Sequence, residues 1–372
     1  MDALRDIRQT DPGAFIREHR QEVLAALERV LDSGWYILGS EVAGFEREFA
    51  EQFGYTHAIG VANGTDALSL ALRALDIGAG DTVATVSHTA VATAAAIDMT
   101  GATPLFIDID AQTYTLDPEA LRAALESSAQ VRAIAVVHLY GQPADMPKIM
   151  AVASRFGIPV VEDCAQAHGA SIDGRFVGCW GEAASFSFYP TKNLGAIGDG
   201  GMVVSAGEEI AARVRMLREY GWKERYISLC AGINSRLDEL QAAYLRLRLP
   251  LLEAGNRRRA AIAAAYDRGL ARTGLVLPAQ RTGMTHVYHQ YVVRHPNRDE
   301  LRMRLKKLGV GTNIHYPVPV HRQPGYGDRC GVGPGGLQAT ERVAREVLSL
   351  PVYPELDDAS VEEIIDAVRK SV

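Results

Sequence analysis

Between His57 and Ser205 the chain alternates short apolar runs with amphipathic stretches, and no other feature restricts its fold as strongly. The apolar runs are 57–62 (HAIGVA), 82–87 (TVATVS), 103–109 (TPLFIDI), 132–140 (RAIAVVHLY), 158–164 (IPVVEDC), 184–189 (ASFSFY) and 201–205 (GMVVS). Helical spacing over 66–75, 118–126 and 146–156 separates them. Several runs are apolar on both faces, which predicts an α/β fold with a mainly parallel sheet covered by helices on both sides. Ligands of such open sheets sit beyond the carboxyl ends of the strands. Asn63, His88, Tyr140, Asp163 and Lys192 are therefore expected on one rim.

The flanks read differently. Residues 14–31 show one helical period, and a second amphipathic helix ends at Gly54. After Leu237 a long helix runs to about 270, interrupted at Pro250, which predicts a hinge. A chain of 372 residues exceeds the roughly 250–300 at which one core stops growing. We therefore expect a large domain over 1–250 and a smaller C-terminal α/β domain over 251–372, with a loop rich in proline and glycine at 317–336.

Composition removes several classes of function. A net charge of -6 and a pI near 6.0 leave no basic footprint for nucleic acid. Cys164, Cys179, Cys230 and Cys330 lack metal-ligand spacing, so no metal site is expected. The first residues, MDALRDIRQTDPGAF, lack the apolar core of a signal peptide, and no run of about 18 apolar residues occurs, so a cytoplasmic protein outside the membrane is expected.

Three features carry chemistry. Only six lysines occur, and Lys192 alone leaves an apolar strand (SFSFYPTK) into a glycine-rich run (NLGAIGDGG). A lysine held there loses its proton more readily than a solvated one, and a neutral amine condenses with a carbonyl. The stretch by itself is equally compatible with a surface lysine on a mobile loop. Asn63-Gly64-Thr65 joins a strand to a helix and forms either an anion cup or an ordinary N-cap. Asp163 ends a buried strand, where a carboxylate needs a cation or hydrogen-bond donors, while Glu162 alternates to the opposite face. The run GAIGDGG lacks the GxGxxG spacing of a dinucleotide loop. A lysine, an anion cup and a carboxylate on one rim are together what pyridoxal 5'-phosphate (PLP) requires.

The segments SGWYILGSEVAGFEREFA, NGTDALSLALRAL, VVHLYGQPADM, VVEDCAQAHGA, SFSFYPTKNLGAIGDGG, NSRLDELQAAYLRLRL, NIHYPVPVH and VLSLPVYPEL span nearly the whole chain. Together they resemble the DegT/DnrJ/EryC1/StrS family of sugar aminotransferases. The resemblance implies a fold type I, aspartate-aminotransferase-like architecture with a seven-stranded large domain, and a homodimer with shared active sites. It implies that Lys192 is the Schiff-base lysine and that Asp163 partners the pyridine nitrogen. Gln166 is placed near the ring, and Gly64, Thr65 and Ser187 at the phosphate. Asn234 reaches that phosphate from the partner subunit, and Tyr189, His315 and Tyr316 face the sugar nucleotide.

In the segment SHTAVAT, where many relatives carry a ring-stacking aromatic residue, this chain has Ala90, so either His88 takes over the stacking or the ring is less tightly sandwiched. Thr191 stands where many relatives carry glycine. The implied activity is amination of a nucleotide-linked keto-6-deoxysugar with L-glutamate as donor, with closest resemblance to enzymes acting at C3 of dTDP-3-keto-6-deoxyhexoses. Amination at C4 and an aminocyclitol substrate are the alternatives within the class. A sugar dehydratase or a non-catalytic ligand sensor on the same fold would be expected to have lost Lys192 or Asp163.

Overall fold

A computed structural model describes residues 6–127 and 130–372. Its main sheet uses all seven expected runs: β1 (His57–Val61), β2 (Thr82–Val86), β3 (Thr103–Ile107), β4 (Val131–Val137), β5 (Val160–Asp163), β6 (Ala183–Ser187) and β7 (Gly201–Ser205). An eighth strand, β8 (Gly331–Val332), comes from the loop rich in proline and glycine and pairs in parallel with β3. The order is β1-β7-β6-β5-β4-β2-β3-β8. Only β7 runs antiparallel to its neighbours; it pairs with β1 and β6. Two residues are too short a run to show an apolar period, so β8 was invisible in the sequence.

Period-2 alternation explains how the sheet is buried on both faces. Ala133, Ala135, Val161, Ala183 and Val203 face one cluster, shared with Leu68 and Leu72 of helix Gly64–Ala74 and Ile97 of helix Val91–Asp98. Ile134, Val136 and Val160 face the opposite side, with Leu121 and Ile149 of helices Pro118–Ser127 and Met146–Phe156. Phe186, Met202 and Val204 continue that side against Phe45 and Phe49 of helix Ser40–Phe53. Because Asp163 shares its parity with Val161, it emerges on the face of helices Gly64–Ala74 and Val91–Asp98.

Glu162, of opposite parity, is fully buried on the other face and accepts hydrogen bonds from Gly178 N (2.9 Å), Trp180 N (2.7 Å) and Gly181 N (3.0 Å). His138 Nδ1 accepts from Ala144 N at 3.0 Å, so Nε2 carries the proton and donates to Glu162 at 3.1 Å. With both ring nitrogens committed, the neighbouring trio His138, Glu162 and Cys164 serves packing rather than metal ligation.

The predicted N-terminal helix divides at His19 into Ala14–Glu18 and Arg20–Ser33, and the His19 ring stacks on Phe15 at 4.5 Å. The long helix is interrupted where Pro250 predicts: Glu239–Arg248, a 3-10 turn at Leu249–Leu251, then Leu252–Leu270. Buried Glu239 fastens helix Ser40–Phe53 by accepting from Gly39 N (2.8 Å), Glu41 N (2.9 Å) and Val42 N (2.9 Å). Beyond residue 270, Tyr291–Arg294 pairs antiparallel with Val347–Leu350, and helices Arg298–Lys307 and Asp358–Ser371 pack with this pair around Tyr266 and Tyr291. No helix among the described residues is long and apolar enough to cross a membrane.

Candidate active site

The carboxyl ends of β1, β2, β5 and β6 open into a cavity of about 310 Å³ lined by Gly64, Thr65, Asp163, Gln166, Ser187, Tyr189 and Lys192, all named from the sequence. The β6 strand ends at Ser187, and the turn through Pro190 returns Lys192 over the rim, where Lys192 N bonds to Tyr189 O at 2.8 Å. Burial of the Lys192 amine pulls it down from 10.5 to about 8, and the negative charge of Asp163 opposes that fall.

Opposite the lysine is the start of helix Gly64–Ala74. Asn63 Oδ1 caps the helix by accepting from Asp66 N at 2.8 Å, so the N-cap reading is correct for Asn63 itself. That cap does not use the N–H groups of Gly64 and Thr65, which lie at the positive end of the helix. A Cβ on Gly64 would lie 2.5 Å from Ser187 Cβ, and one on Gly201 would lie 2.3 Å from Asn63 O. The cup is thus formed by backbones and a serine in such close approach that only glycine fits.

Gln166 lies between two fixed partners: its Oε1 accepts from Tyr140 N (2.7 Å) and its Nε2 donates to Tyr316 Oη (3.1 Å). Tyr140 reaches this position through a left-handed backbone (φ 61°) just past the end of β4. Tyr316 thereby closes one side of Gln166, and burial raises its hydroxyl to about 12. His315 Nδ1 lies 2.8 Å from Ser349 Oγ, and burial with the Lys192 charge lowers the ring to about 4, keeping it neutral. Tyr189 is half exposed at the mouth of the cavity.

One expected residue is placed elsewhere. His88 does not stack over the cavity: its ring is fully buried behind the wall, with Nε2 2.8 Å from Tyr140 Oη and Tyr114 packed alongside. Burial lowers the ring to about 4. Ala90 lines the cavity in its stead. Asn234 is exposed outside its own chain's cavity, next to Ser235, whose hydroxyl donates to Asp66 behind the cup at 2.7 Å.

Thr89, Thr93 and Asp199 line the cavity and were not singled out in the sequence. Thr93 Oγ1 donates to Asp163 Oδ2 at 2.9 Å. Thr89 and Thr93 are four residues apart at the start of a helix, a spacing that puts both on one face, but threonines at a helix start ordinarily read as caps.

The model of the DegT/DnrJ/EryC1/StrS aminotransferase family matches residues 17–369. The dTDP-3-amino-3,4,6-trideoxy-alpha-D-glucose transaminase of Streptomyces venezuelae is 48% identical over 363 residues, covering 97% of this chain and 94% of that protein. Its namesake in Micromonospora megalomicea subsp. nigra is 46% identical, covering 95% of each chain. The crystal structure of S. venezuelae DesV in complex with a ketimine intermediate superposes with a TM-score of 0.95 at 48% identity, covering 98% of both chains. A match that extends from the N-terminal helices through the cup, the lysine turn and the C-terminal strands leaves one assignment: the chain belongs to the DegT/DnrJ/EryC1/StrS aminotransferase family.

Proposed function

We propose that the protein is a PLP-dependent aminotransferase that places an amino group on C3 of a nucleotide-linked keto-6-deoxysugar, with L-glutamate as donor. The observation that carries this reading is the Lys192 amine, lowered to about 8 and sharing one cavity with Asp163 and the cup at Gly64 and Thr65. The cavity suits PLP: a glycine-only cup for a phosphate, a nucleophilic amine for an aldehyde, and a carboxylate for a protonated ring nitrogen. When bound, PLP supplies an electrophilic carbonyl and an electron-accepting ring. The names of the two transaminase relatives favour C3 as the site of amination.

In this reading Gly64, Thr65 and Ser187 bind the phosphate, and Asp163 holds the positive charge at the ring nitrogen. Gln166, immobilised by Tyr140 and Tyr316, sets the ring edge. Lys192 Nζ would hold the cofactor and, as a neutral amine, would take the proton from the α-carbon of the donor. Tyr189, His315 and Tyr316 contact the sugar nucleotide. The active unit is a homodimer in which Asn234 reaches the partner's phosphate cup. Its exposure outside its own cavity supports that arrangement, as do the exposed apolar side chains of Tyr226, Ile227 and Leu229 on the preceding hairpin.

The test supplies glutamate and a panel of nucleotide-linked 3-keto and 4-keto sugars to the PLP-loaded protein and locates the new amine by NMR. Amination at C3 is expected. An amine at C4 would overturn the regiochemistry, and failure of every sugar to react would overturn the substrate class.

A further inference from the structure

Asp163 has donors on both carboxylate oxygens: Ala165 N to Oδ1 at 3.1 Å and Thr93 Oγ1 to Oδ2 at 2.9 Å. An ionised carboxylate only accepts, so the Thr93 proton is committed to it. The Thr93 oxygen lies 3.0 Å from Thr89 Oγ1 and can then only accept from that hydroxyl. The direction of the chain Thr89 to Thr93 to Asp163 is thereby set, and all three residues are buried. Ala90 and Ala92, interleaved with the two threonines, line the same cavity and present only methyl groups. This segment therefore presents no aromatic side chain to the cavity.

We propose that Thr93, oriented by Thr89, is a positioning residue that holds the Asp163 carboxylate aimed at the cofactor's ring nitrogen. The inference rests on the PLP reading given above. A proton between a ring nitrogen and a carboxylate resides on one or the other. A hydroxyl donating to the carboxylate stabilises the charged pair and keeps the proton on nitrogen. Without that donor the proton moves toward Asp163, the ring loses positive charge, and the nitrogen linking the cofactor to Lys192 holds its own proton more tightly.

The test is a spectroscopic pH titration of the PLP-loaded protein, from about pH 5 to about pH 10, following interconversion of the cofactor's near-ultraviolet and visible bands. Thr93→Val keeps the side-chain shape and removes the hydroxyl, Thr93→Ser keeps the hydroxyl, and Thr89→Val removes the outer donor. The expected result is an upward shift of the midpoint by about one pH unit in Thr93→Val, about tenfold in the proton equilibrium. A smaller shift in the same direction is expected in Thr89→Val, and the wild-type midpoint in Thr93→Ser. A Thr93→Val midpoint equal to wild type overturns the proposal, as does a Thr93→Ser midpoint displaced as far as that of Thr93→Val, which would assign the effect to packing. Should Thr93→Val fail to fold, an unshifted Thr89→Val overturns it as well. Absence of any visible band in the wild type with PLP is a separate result: it refutes the cofactor reading, and the inference with it.

Discussion

The Lys192 amine, lowered to about 8 by burial, should be measurable directly in the cofactor-free protein. At pH 7 a lysine at the ordinary 10.5 is neutral in about 0.03% of molecules, and one at about 8 in about 9%, a gain of about 300-fold in reactive amine. The assay is stopped-flow capture of PLP by the cofactor-free protein across a pH series. Each rate is divided by that of a lysine side-chain amine in a blocked amino acid under the same buffer, which cancels the ionisations of PLP itself. Below about pH 8 both amines gain neutral form equally, so the ratio stays level near its maximum. Above about pH 8 Lys192 is already neutral while the free amine still gains, so the ratio falls about tenfold per pH unit until about 10.5.

Asp163 raises the amine, so Asp163→Asn should move the bend to lower pH. The same shift sets a stability trend. The folded value lies below the unfolded one, so the folded protein sheds this proton first. This group therefore opposes folding below about pH 8, and the cost fades as pH rises toward about 10.5. A rate ratio that stays level from about pH 7 to about pH 10 would mean that Lys192 titrates as a solvated lysine, and would refute the argument from burial.

Three further outcomes follow from contacts described above. Gly64→Ala forces a Cβ to within 2.5 Å of Ser187 Cβ, and the overpacking should weaken PLP binding by about ten- to a hundredfold in a fluorescence titration; unchanged affinity would mean that the cup yields without cost. Glu162→Gln turns an amide N–H toward two of the four donors in a fully buried site and should cost about 3 kcal/mol in denaturant unfolding, whereas a loss under about 1 kcal/mol would show that the site admits water. If Asn234 acts across a dimer, equal mixing of inactive Asn234→Ala and Lys192→Ala chains yields half heterodimers with one intact site each, restoring about a quarter of wild-type activity, and no recovery after demonstrated subunit exchange would place Asn234 outside the site.

The strands, their burial on both faces and the rim that carries the site were legible because they depend on local periodicity. Ala133 and Ala135 against Ile134 and Val136 is a pattern that the sequence states and the sheet repeats. Lys192, Asp163 and the cup were legible for the same reason: each sits where an apolar run stops, and a parallel sheet aligns those stops. The position of His88 was not legible because periodicity ends with β2. The turn at residues 87–89 turns its ring away from the cavity, and the hydroxyl of Tyr140, 52 residues away, holds it there. Residues 331–332 joined the main sheet through a long-range pairing with β3 that no local pattern announces.

The sequence by itself determined the fold class and the placement of Lys192 and Asp163 on one rim, because chain chemistry and strand parity are local properties. Only the tertiary structure decided that the Lys192 amine is buried enough to fall to about 8, and that Gln166 is oriented by Tyr140 and Tyr316. It alone showed that Thr93 donates to Asp163. Each of these depends on groups brought together from distant strands and helices, where burial and hydrogen-bond direction are set by packing rather than by neighbours along the chain.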